Sequence, residues 1–395
     1  MAAFSAPLRP SAVQIGTRFA AWRGRLVADP RFQKWAAASP LTRRLAERKA
    51  RALFDLCAGF VYSQILRACV QLEVFELLRG GPKDLAWLSA QMRLTVPAAQ
   101  RLLDGAASLG LLRALPGDRF ALDDLGAAMN GNPAIAAFVA HHDLLYADLK
   151  DPVALLRGEV DTNLSRFWPY AGNRPGVRAG GGDSVKTGPA EKAEDERSCA
   201  YSELMSRTQP LIAEDILDAY PLARHRCLLD VGGGDGAFLA AAAHRAPHLA
   251  LKLFDLPHVV ARAGSRLGAP GISWRAEPIG GDMLRDALPR GADVASLVRV
   301  LHDHDDESVH VILTAIRDAL PPRGVLLVAE PMAGVRGVEP MGGAYFSFYL
   351  LAMGRGRPRS AKEIAAHLEA AGFRRVRRLK TRRPLLVSAL AATRV

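Results

Sequence analysis

The stretch "CLLDVGGGDGAFLAAAAHRAP", residues 227–247, constrains the fold of this 395-residue chain more than any other segment. An apolar run ends at Val231, three glycines follow, and an alanine-rich run of helical composition begins. Glycines let the backbone turn tightly beside a ligand, and a helix N-terminus presents N–H groups and a positive dipole. The pattern predicts a strand, turn and helix of an α/β sheet. Gly232-x-Gly234-x-x-Ala237 also fits a dinucleotide fingerprint, so this loop alone does not separate NAD from other nucleosides.

Two further loops follow apolar runs at spacings that suit a nucleoside. "LKLFDLPHVV" predicts a strand that ends in Asp255, about 20 residues beyond Gly234, where an acid accepts hydrogen bonds from ribose hydroxyls. "GGDML" supplies Asp282, which can accept from an exocyclic amine, and Met283, which can pack on a purine. The three loops in this order predict a nucleoside site.

Two later motifs place acid–base groups at strand ends. "DVASLVRVLHD" predicts a fourth strand with Arg299 and His302 at its carboxyl end, and "GVLLVAEPM" predicts a fifth strand that ends in Glu330. Open α/β sheets bind ligands at the carboxyl ends of their strands, so we expect these three side chains to face one crevice. The alternation of strands and helices up to the end of the chain predicts a parallel sheet.

The run "HDHDDE", residues 302–307, allows three interpretations: a metal site, a catalytic base or the start of a helix. His302 and His304 lie near a strand end, where side chains need not converge, and no third ligand completes a cage, so we expect no metal. The acids at 305–307 suit the first turn of a helix. His302 is then either a general base with a pKa near neutrality or a structural histidine.

The N-terminal half predicts a different kind of domain. Residues 1–48 are basic and predict an extension, and the apolar run 53–78 predicts a mostly buried helix. Two short helical segments and a strand–turn–strand pattern follow, which is the order of a winged helix. The second of these helices, 96–109, carries one cation, Arg101, and one anion, Asp104, too few groups to grip DNA phosphates. We expect a scaffold or dimer interface.

The formal charge of +12 suits nucleic acid, an anionic membrane surface or an acidic ligand. The basic segments do not interleave aromatics with arginines as nucleic-acid grooves do, so we expect no nucleic-acid partner. The four cysteines form no CxxC pair and predict free thiols in a reducing, cytoplasmic setting. No signal-peptide pattern and no run of 18 apolar residues is seen, so we expect no membrane-spanning helix. Residues 171–198, rich in Gly, Pro and charge, predict a linker or mobile loop.

Five short motifs follow one another in the second half of the chain: Asp230-Val-Gly-Gly-Gly, Phe254-Asp255-Leu256-Pro257, Gly281-Asp282-Met283, Arg299-Val-Leu-His302-Asp303 and Val328-Ala-Glu330. Together they resemble the S-adenosylmethionine-dependent O-methyltransferases of small molecules. The resemblance covers roughly residue 50 to the end. It implies a homodimer with an α/β fold, in which a mainly α, winged-helix-like dimerisation domain precedes a Rossmann-like methyltransferase domain. The expected parts are the extension 1–48, the dimerisation domain 49–165, the linker 166–200 and the methyltransferase domain 201–395.

The resemblance implies a role for each motif. The cofactor S-adenosylmethionine would contact six residues: Gly232 and Gly234 beside its methionine end, Asp255 at the ribose, Asp282 and Met283 at the adenine, and Arg299 along one side. His302 would be the general base, and Glu330 the acid that orients it. Family members often carry an acid in a "GxERT"-like segment, where this chain has "GRGRPRS" with Pro358 at about that place. This departure leaves Glu330 as the expected partner of His302.

Three segments resemble the carotenoid branch of that family in purple bacteria: "RFQKWAAASPLTRRLAERKARALFDL", "FVYSQILRACVQLEVFELL" and "FWPYA". The implied substrate is the tertiary hydroxyl of an acyclic hydroxy-carotenoid of the hydroxyneurosporene or demethylspheroidene type. The aromatic segment "GGAYFSFYLLAMG" is then either ordinary core or the wall of a long apolar tunnel. The candidate tunnel residues are Trp168, Met205, Tyr345, Phe348, Tyr349 and Met353.

A carotenoid dissolves in the bilayer, so we expect the basic extension to hold the protein peripherally on an anionic inner membrane. Three alternatives stay open. One is methylation of a phenolic or polyketide hydroxyl, which a polar, aromatic-sized pocket would favour. Another is a non-catalytic winged-helix regulator, although its basic recognition helix is missing. An NAD oxidoreductase would need a separate hydride-acceptor constellation, which the sequence lacks.

Overall fold

The computed structural model describes residues 12–167 and 208–395. The predicted linker and the substrate candidates Trp168 and Met205 lie outside the described residues. Contacts divide the chain into two compact units, with the division after Ala128. The four-part division expected from the sequence stays a prediction.

The first unit is mostly helical. Its described helices are α1 Ala12–Ala28, α2 Pro30–Ala38, α3 Arg43–Gln71, α4 Val74–Leu77, α5 Leu85–Gln91, α6 Val96–Ser108 and the greater part of α7 Asp124–Asn130. Its described strands are β1 Lys83–Asp84, β2 Leu112–Leu115 and β3 Arg119–Leu122, in the sheet order β1-β3-β2. Asp84 caps α5 and Thr95 caps α6, because each side chain accepts a hydrogen bond from a backbone N–H of the first turn. The succession of α5, α6 and the β2–β3 hairpin is the predicted winged-helix order.

Helix α3 is far more exposed than the sequence predicts. The run 53–78 predicts a mostly buried helix, yet Leu56 is 81% exposed and Phe60 is 71% exposed. Apolar side chains occupy more than one face of this helix, and the described part of the first unit covers only some of them. By length and mean hydropathy alone, α3 could also cross a membrane. The expectation that no helix spans a membrane stays a prediction.

The second unit contains a seven-stranded sheet in the order β6-β5-β4-β7-β8-β10-β9. Its strands are β4 Cys227–Val231, β5 Ala250–Asp255, β6 Ala276–Gly280, β7 Val294–Val298, β8 Val325–Glu330, β9 Phe373–Leu379 and β10 Ser388–Arg394. The strands from β6 to β8 pair in parallel, whereas β10 is antiparallel to both of its neighbours. Every residue of β4 and β7 is buried, as expected for strands covered on both faces. The predicted Rossmann-like fold is confirmed, although the sheet is not wholly parallel as the sequence pattern predicts, because β10 runs opposite to the other strands.

The described helices of the second unit are α8 Pro133–Asp148, α9 Pro152–Leu156, α10 Asn163–Phe167, α11 over 208–219, α12 Ala237–Arg245, α13 Pro257–Val260, α14 Gly264–Leu267, α15 Asp306–Ala319, α16 Phe346–Met353 and α17 Ala361–Ala370. The strand order reverses between β4 and β7, and such a reversal opens a crevice at the carboxyl edge. Strand β7 ends at Val298, so His302 lies in a 3-10 turn beyond the strand. Asp305 caps α15 by accepting from the Ser308 N–H at 2.8 Å, which confirms the predicted helix start.

Candidate active site

Three glycines in the left-handed conformation build the turn between β4 and α12. The φ angles of Gly232, Gly234 and Gly236 are 69°, 61° and 78°, a region that favours glycine. A Cβ at Gly232 would stand 2.9 Å from Val300 Cγ2, whereas one at Gly234 would meet nothing within 4 Å. The turn is therefore crowded on one side and has room for a ligand on the other.

The carboxylate of Asp255 joins this turn to the end of β5. It is buried and accepts hydrogen bonds from the N–H of Gly234 at 2.8 Å and the N–H of Leu256 at 2.7 Å. The N–H of Gly281, which opens the third loop, donates to the carbonyl of Asp255 at 2.9 Å. The three loops that predict a nucleoside site are thus brought together around Asp255.

The third loop is held by its own acids. Asp282 accepts from the Leu284 N–H at 2.9 Å, and the Asp282 N–H donates to the Asp286 carboxylate at 2.7 Å. The side chain of Met283 is buried, with its Cε 3.2 Å from where a Cβ on Gly232 would stand. Met283 therefore packs against the Gly-rich turn.

Arg299 follows β7 in a left-handed conformation, with a φ of 58°. Its N–H donates to the carbonyl of Ala329 on β8 at 2.8 Å. Its guanidinium donates to Thr208 Oγ1 at 2.9 Å and to Gln209 Oε1 at 2.5 Å. Helix α11 thereby fixes the Arg299 side chain at the carboxyl edge of the sheet.

His302, which is partly buried, forms a hydrogen-bonded pair with the buried Glu330. Nδ1 of His302 bonds Oε2 of Glu330, and Oε1 of the same carboxylate accepts the N–H groups of Val300 at 3.0 Å and Leu301 at 2.7 Å. Glu330 ends β8 and is only 2% exposed. One carboxylate therefore holds both the imidazole ring and the backbone that carries it.

A second carboxylate lies on the other side of the ring. Asp303 Oδ1 is 3.2 Å from His302 Nε2, an ion-pair contact that lacks the alignment of a hydrogen bond. Burial alone lowers the pKa of His302, but the carboxylates of Asp303 and Glu330 outweigh burial and raise that pKa above its ordinary value. Burial raises the pKa of Asp303 to about 6, although the nearby imidazole opposes this shift. The imidazole thus lies between two acids whose negative charge favours its protonated form.

The segment "GRGRPRS" packs on the turn that carries His302. Arg359 is buried, and its guanidinium donates to the carbonyls of Leu301 at 2.6 Å and His304 at 2.7 Å. Gly356, with a φ of 79°, approaches so closely that a Cβ would stand 2.0 Å from the carbonyl oxygen of His302. The segment "GRGRPRS" therefore holds the backbone of the turn.

Two tyrosines of the aromatic segment pair with histidines of α8. The Tyr345 hydroxyl bonds His142 Nε2 and the Tyr349 hydroxyl bonds His141 Nε2, each at 2.8 Å. Burial raises the pKa of both tyrosines, so both hydroxyls stay protonated at neutral pH. The polar ends of these rings are thereby satisfied inside an apolar region.

The other residues of the aromatic segment differ in their surroundings. Phe346, which no motif in the sequence singles out, lies edge-on to His302 with ring centroids 6.2 Å apart. Phe348 is half-buried. Met353 is buried in an apolar cluster together with Leu145, Leu155 and Leu164, the surroundings expected of a core residue.

Asp230, at the end of β4, is a buried carboxylate with one unsatisfied oxygen. Its Oδ1 accepts from the Ser296 hydroxyl at 2.6 Å, whereas Oδ2 has no hydrogen-bond partner within residues 12–167 and 208–395. Burial raises the pKa of Asp230 to about 7. A Cβ at Gly233 would stand 2.4 Å from Oδ2, so this acceptor lies beside the Gly-rich turn. A bound donor at the turn would satisfy it.

Comparison with known proteins decides the class. Residues 146–374 match the O-methyltransferase domain, and residues 54–129 match the O-methyltransferase dimerisation domain. The chain belongs to the O-methyltransferase family. It is 43% identical to demethylspheroidene O-methyltransferase of Cereibacter sphaeroides over 370 residues, 94% of each chain, and 38% identical to that of Rhodobacter capsulatus over 99% of this chain and 92% of the relative. The structure of human N-acetylserotonin methyltransferase in complex with SAM superposes with a TM-score of 0.69 at 25% identity, covering 88% of this chain and 97% of that one.

These comparisons confirm the predicted fold and the predicted enzyme class. Within the described ranges, no group of three or more His, Cys, Asp or Glu side chains could hold a metal ion. The expected contact between His302 and Glu330 is present. The sequence offers one signal for Asp303, its place next to His302, and none for the pairing of α8 histidines with tyrosines.

Proposed function

We propose that this O-methyltransferase uses S-adenosylmethionine to methylate the tertiary hydroxyl of an acyclic hydroxy-carotenoid of the demethylspheroidene or hydroxyneurosporene type. The observation that carries the proposal is the hydrogen bond between the partly buried His302 and the buried Glu330, which ends a strand of the sheet that also carries the Gly-rich turn. The high identity to demethylspheroidene O-methyltransferase over 94% of both chains supports this choice of substrate.

The residues at the Gly-rich turn fit the cofactor. The fixed, buried carboxylate of Asp255 is suited to accept from the ribose hydroxyls. Gly232 and Gly234 let the methionine end approach the backbone, and the unsatisfied Oδ2 of Asp230 suits a hydrogen-bond donor there. When bound, S-adenosylmethionine supplies a methyl group activated by its sulfonium centre.

Three further residues complete the proposed cofactor site. Asp282 accepts from the exocyclic amine of adenine, and Met283 packs on the purine face. Arg299 lines the same side, held in place by Thr208 and Gln209. The hydrogen bonds of the third loop hold Asp282, and Thr208 and Gln209 hold the Arg299 guanidinium. These contacts support the proposed roles, because the two side chains do not have to reorganise when the cofactor binds.

His302 is the proposed general base. It would take the proton of the substrate hydroxyl at Nε2, and Glu330 would stabilise the imidazolium that forms. A tertiary alcohol is a much weaker acid than a phenol. An imidazole whose pKa is raised by two carboxylates is therefore better matched to it than an ordinary one. No metal is needed in this scheme, because a side chain receives the proton.

The proposed substrate pocket is apolar and aromatic. Tyr345, Phe348 and Tyr349 line it, and the satisfied hydroxyls of the two tyrosines support an apolar occupant. The proposal also includes Trp168 and Met205. Met353 belongs to the proposed pocket as well; it is buried in the same apolar cluster as Tyr349.

A second candidate function is methylation of a phenolic or polyketide hydroxyl. The superposition on N-acetylserotonin methyltransferase, whose named substrate is aromatic, favours it. The hydrogen-bonding groups of His141 and His142 could also serve a more polar substrate, although in this structure both face tyrosine hydroxyls.

We also propose a homodimer that makes peripheral contact with an anionic inner membrane on its cytoplasmic side. The match of 54–129 to the dimerisation domain and the exposed apolar face of α3 support the dimer. The membrane contact follows from the proposed substrate, since a carotenoid lies in the bilayer.

The test is methyl transfer from labelled S-adenosylmethionine by the wild type and by His302→Ala. Each protein is offered a 1-hydroxy carotenoid in detergent or liposomes, beside a simple phenol. We expect carotenoid labelling that falls at least ~10²-fold in the variant. Labelling of the phenol alone would support the second candidate. Cofactor binding without labelling of either substrate would contradict the proposed reaction and favour a ligand-binding regulator.

A further inference from the structure

The first two helices lie outside both matched domains, in a strongly basic stretch of the chain. Residues 12–51 precede the dimerisation domain, which begins at residue 54. They contain ten Lys and Arg residues against two acids, Asp29 and Glu47. A segment of this charge needs an anionic partner or solvent.

Helix α1 is amphipathic in a specific way. Phe19, Trp22 and Leu26 are spaced at i, i+3 and i+7 and so share one face, flanked by Arg18 and Arg25 on one side and Arg23 on the other. Phe19 is 60% exposed and Trp22 is 53% exposed, with ring centroids 5.7 Å apart. Arg18 and Arg25 line a shallow groove together with these two rings. The helix therefore does interleave aromatics with arginines, contrary to the interpretation from composition.

Helix α2 repeats the arrangement. Trp35 is 57% exposed and stacks at a tilt on Phe32, with ring centroids 5.6 Å apart, and the exposed cations Arg31 and Lys34 flank the pair. The turn between α1 and α2 is fixed, because Asp29 caps α2 and Gln33 Nε2 donates to the carbonyl of Val27 at 2.9 Å. The two aromatic pairs are therefore carried on a defined helix–turn–helix.

We propose that α1 and α2 bind the surface of an anionic phospholipid bilayer, with Phe19, Trp22 and Trp35 in the headgroup layer and the flanking arginines on lipid phosphates. Exposed Trp and Phe beside Arg and Lys on short helices are the chemistry of interfacial segments. A second copy of the chain is a poorer occupant, because a two-fold contact would set this cationic face against itself. The inference deepens the membrane contact proposed above by assigning its residues, and its test does not depend on the substrate.

The experiment is co-sedimentation of the full chain with vesicles of phosphatidylcholine, with and without phosphatidylglycerol. We expect binding only to the anionic vesicles, weakened by salt. In Arg18→Gln/Arg23→Gln/Arg25→Gln the partition coefficient should fall at least ~tenfold. Phe19→Ser/Trp22→Ser should abolish the part of the vesicle binding that persists at high salt, because that part depends on the aromatic side chains.

Matched controls lie in the second unit. Arg375→Gln/Arg377→Gln/Arg378→Gln removes three exposed arginines of β9, and Trp274→Ser removes an indole that is 75% exposed. Both controls should bind like the wild type, and every variant should methylate a detergent-dissolved substrate at the wild-type rate.

Several results would overturn the inference. One is a loss of vesicle binding in the β9 control as large as that in the α1 arginine variant. Another is wild-type binding to neutral vesicles as strong as to anionic vesicles, and a third is no vesicle binding by the wild type. If the α1 variants lost their dimer in light scattering while the wild type ignored vesicles, a second copy would be the occupant. If the wild type bound a single-stranded oligonucleotide and no vesicles, the partner would be nucleic acid. In each case the methyl-transfer assay reports on the proposed reaction separately.

Discussion

The carboxylate of Asp303 lies 3.2 Å from Nε2 of His302, on the side of the ring opposite to the one that Glu330 bonds. The imidazole therefore stands between two buried acids. Nε2 is also the nitrogen that must receive the substrate proton in the proposed reaction. Asp303 thus has to give way when a hydroxyl approaches, and until then its charge raises the pKa of the ring.

The first prediction concerns the pH dependence of kcat in Asp303→Asn. A general base works only when deprotonated, so kcat should fall as the pH drops below the raised pKa of His302. Removing the Asp303 charge removes one cause of the raised pKa of His302. The acidic limb of the pH–rate profile should therefore move to lower pH. The plateau rate should fall by less than the ~10²-fold expected on losing the base itself. A limb that stays in place, measured from pH–rate profiles of both proteins, would show that Asp303 does not tune the base.

The second prediction separates the charge of Glu330 from its hydrogen bonds. Glu330→Gln keeps an oxygen that can accept from the N–H groups of Val300 and Leu301, but it removes the charge that stabilises the imidazolium. We expect kcat to fall roughly 10²-fold or more with a nearly unchanged free energy of unfolding. Glu330→Ala also leaves the N–H groups of Val300 and Leu301 without an acceptor. Its free energy of unfolding should therefore be about 2–4 kcal/mol lower than that of the wild type. Equal stability losses in both variants, measured by urea unfolding, would contradict this division.

The sheet and its loops could be predicted because local patterns determine them. Strands buried on both faces appear in the sequence as short apolar runs. The glycines that follow the first of these runs predict a tight turn, and Gly232 and Gly234 do adopt the left-handed conformation there. The exposure of α3 could not be predicted in the same way. An apolar run indicates that the side chains of a helix need packing partners, but it does not show whether those partners come from the same chain.

The surroundings of the base were only partly predictable for a related reason. Asp303 adjoins His302 in sequence, and Glu330 ends a recognisable strand. In contrast, Arg359 reaches the carbonyl of His304 across 55 residues, and His141 reaches Tyr349 across 208. Such contacts depend on how distant segments pack, and neither residue type nor spacing signals them.

The third prediction tests the crowding of the Gly-rich turn. Gly232 and Gly334 have nearly the same positive φ, 69° and 68°, but only a Cβ at Gly232 would meet other atoms, at 2.9 Å from Val300 Cγ2. Gly232→Ala should therefore add an overpacking penalty of about 1–3 kcal/mol to the backbone strain that both variants share. We expect the Kd for S-adenosylmethionine, measured by calorimetry, to rise at least ~tenfold in Gly232→Ala and to stay within ~twofold in Gly334→Ala. Equal affinities in the two variants would place the cofactor away from this turn.

The fourth prediction concerns the guanidinium that holds the His302 turn. Arg359 is 2% exposed and bonds the carbonyls of Leu301 and His304, whereas the side chain of Arg357 is 43% exposed and pairs only with acids of its surroundings. Arg359→Met removes the guanidinium donor of the His304 carbonyl, one of the two donors of the Leu301 carbonyl and the ion pair with Asp306, so the free energy of unfolding should fall by about 3 kcal/mol or more. Arg357→Met should lose less than about 1 kcal/mol. Because the turn carries the proposed base, kcat should fall in Arg359→Met with little change in the Kd for the cofactor. If kcat were unaffected despite the lost stability, the position of His302 would not depend on this clamp.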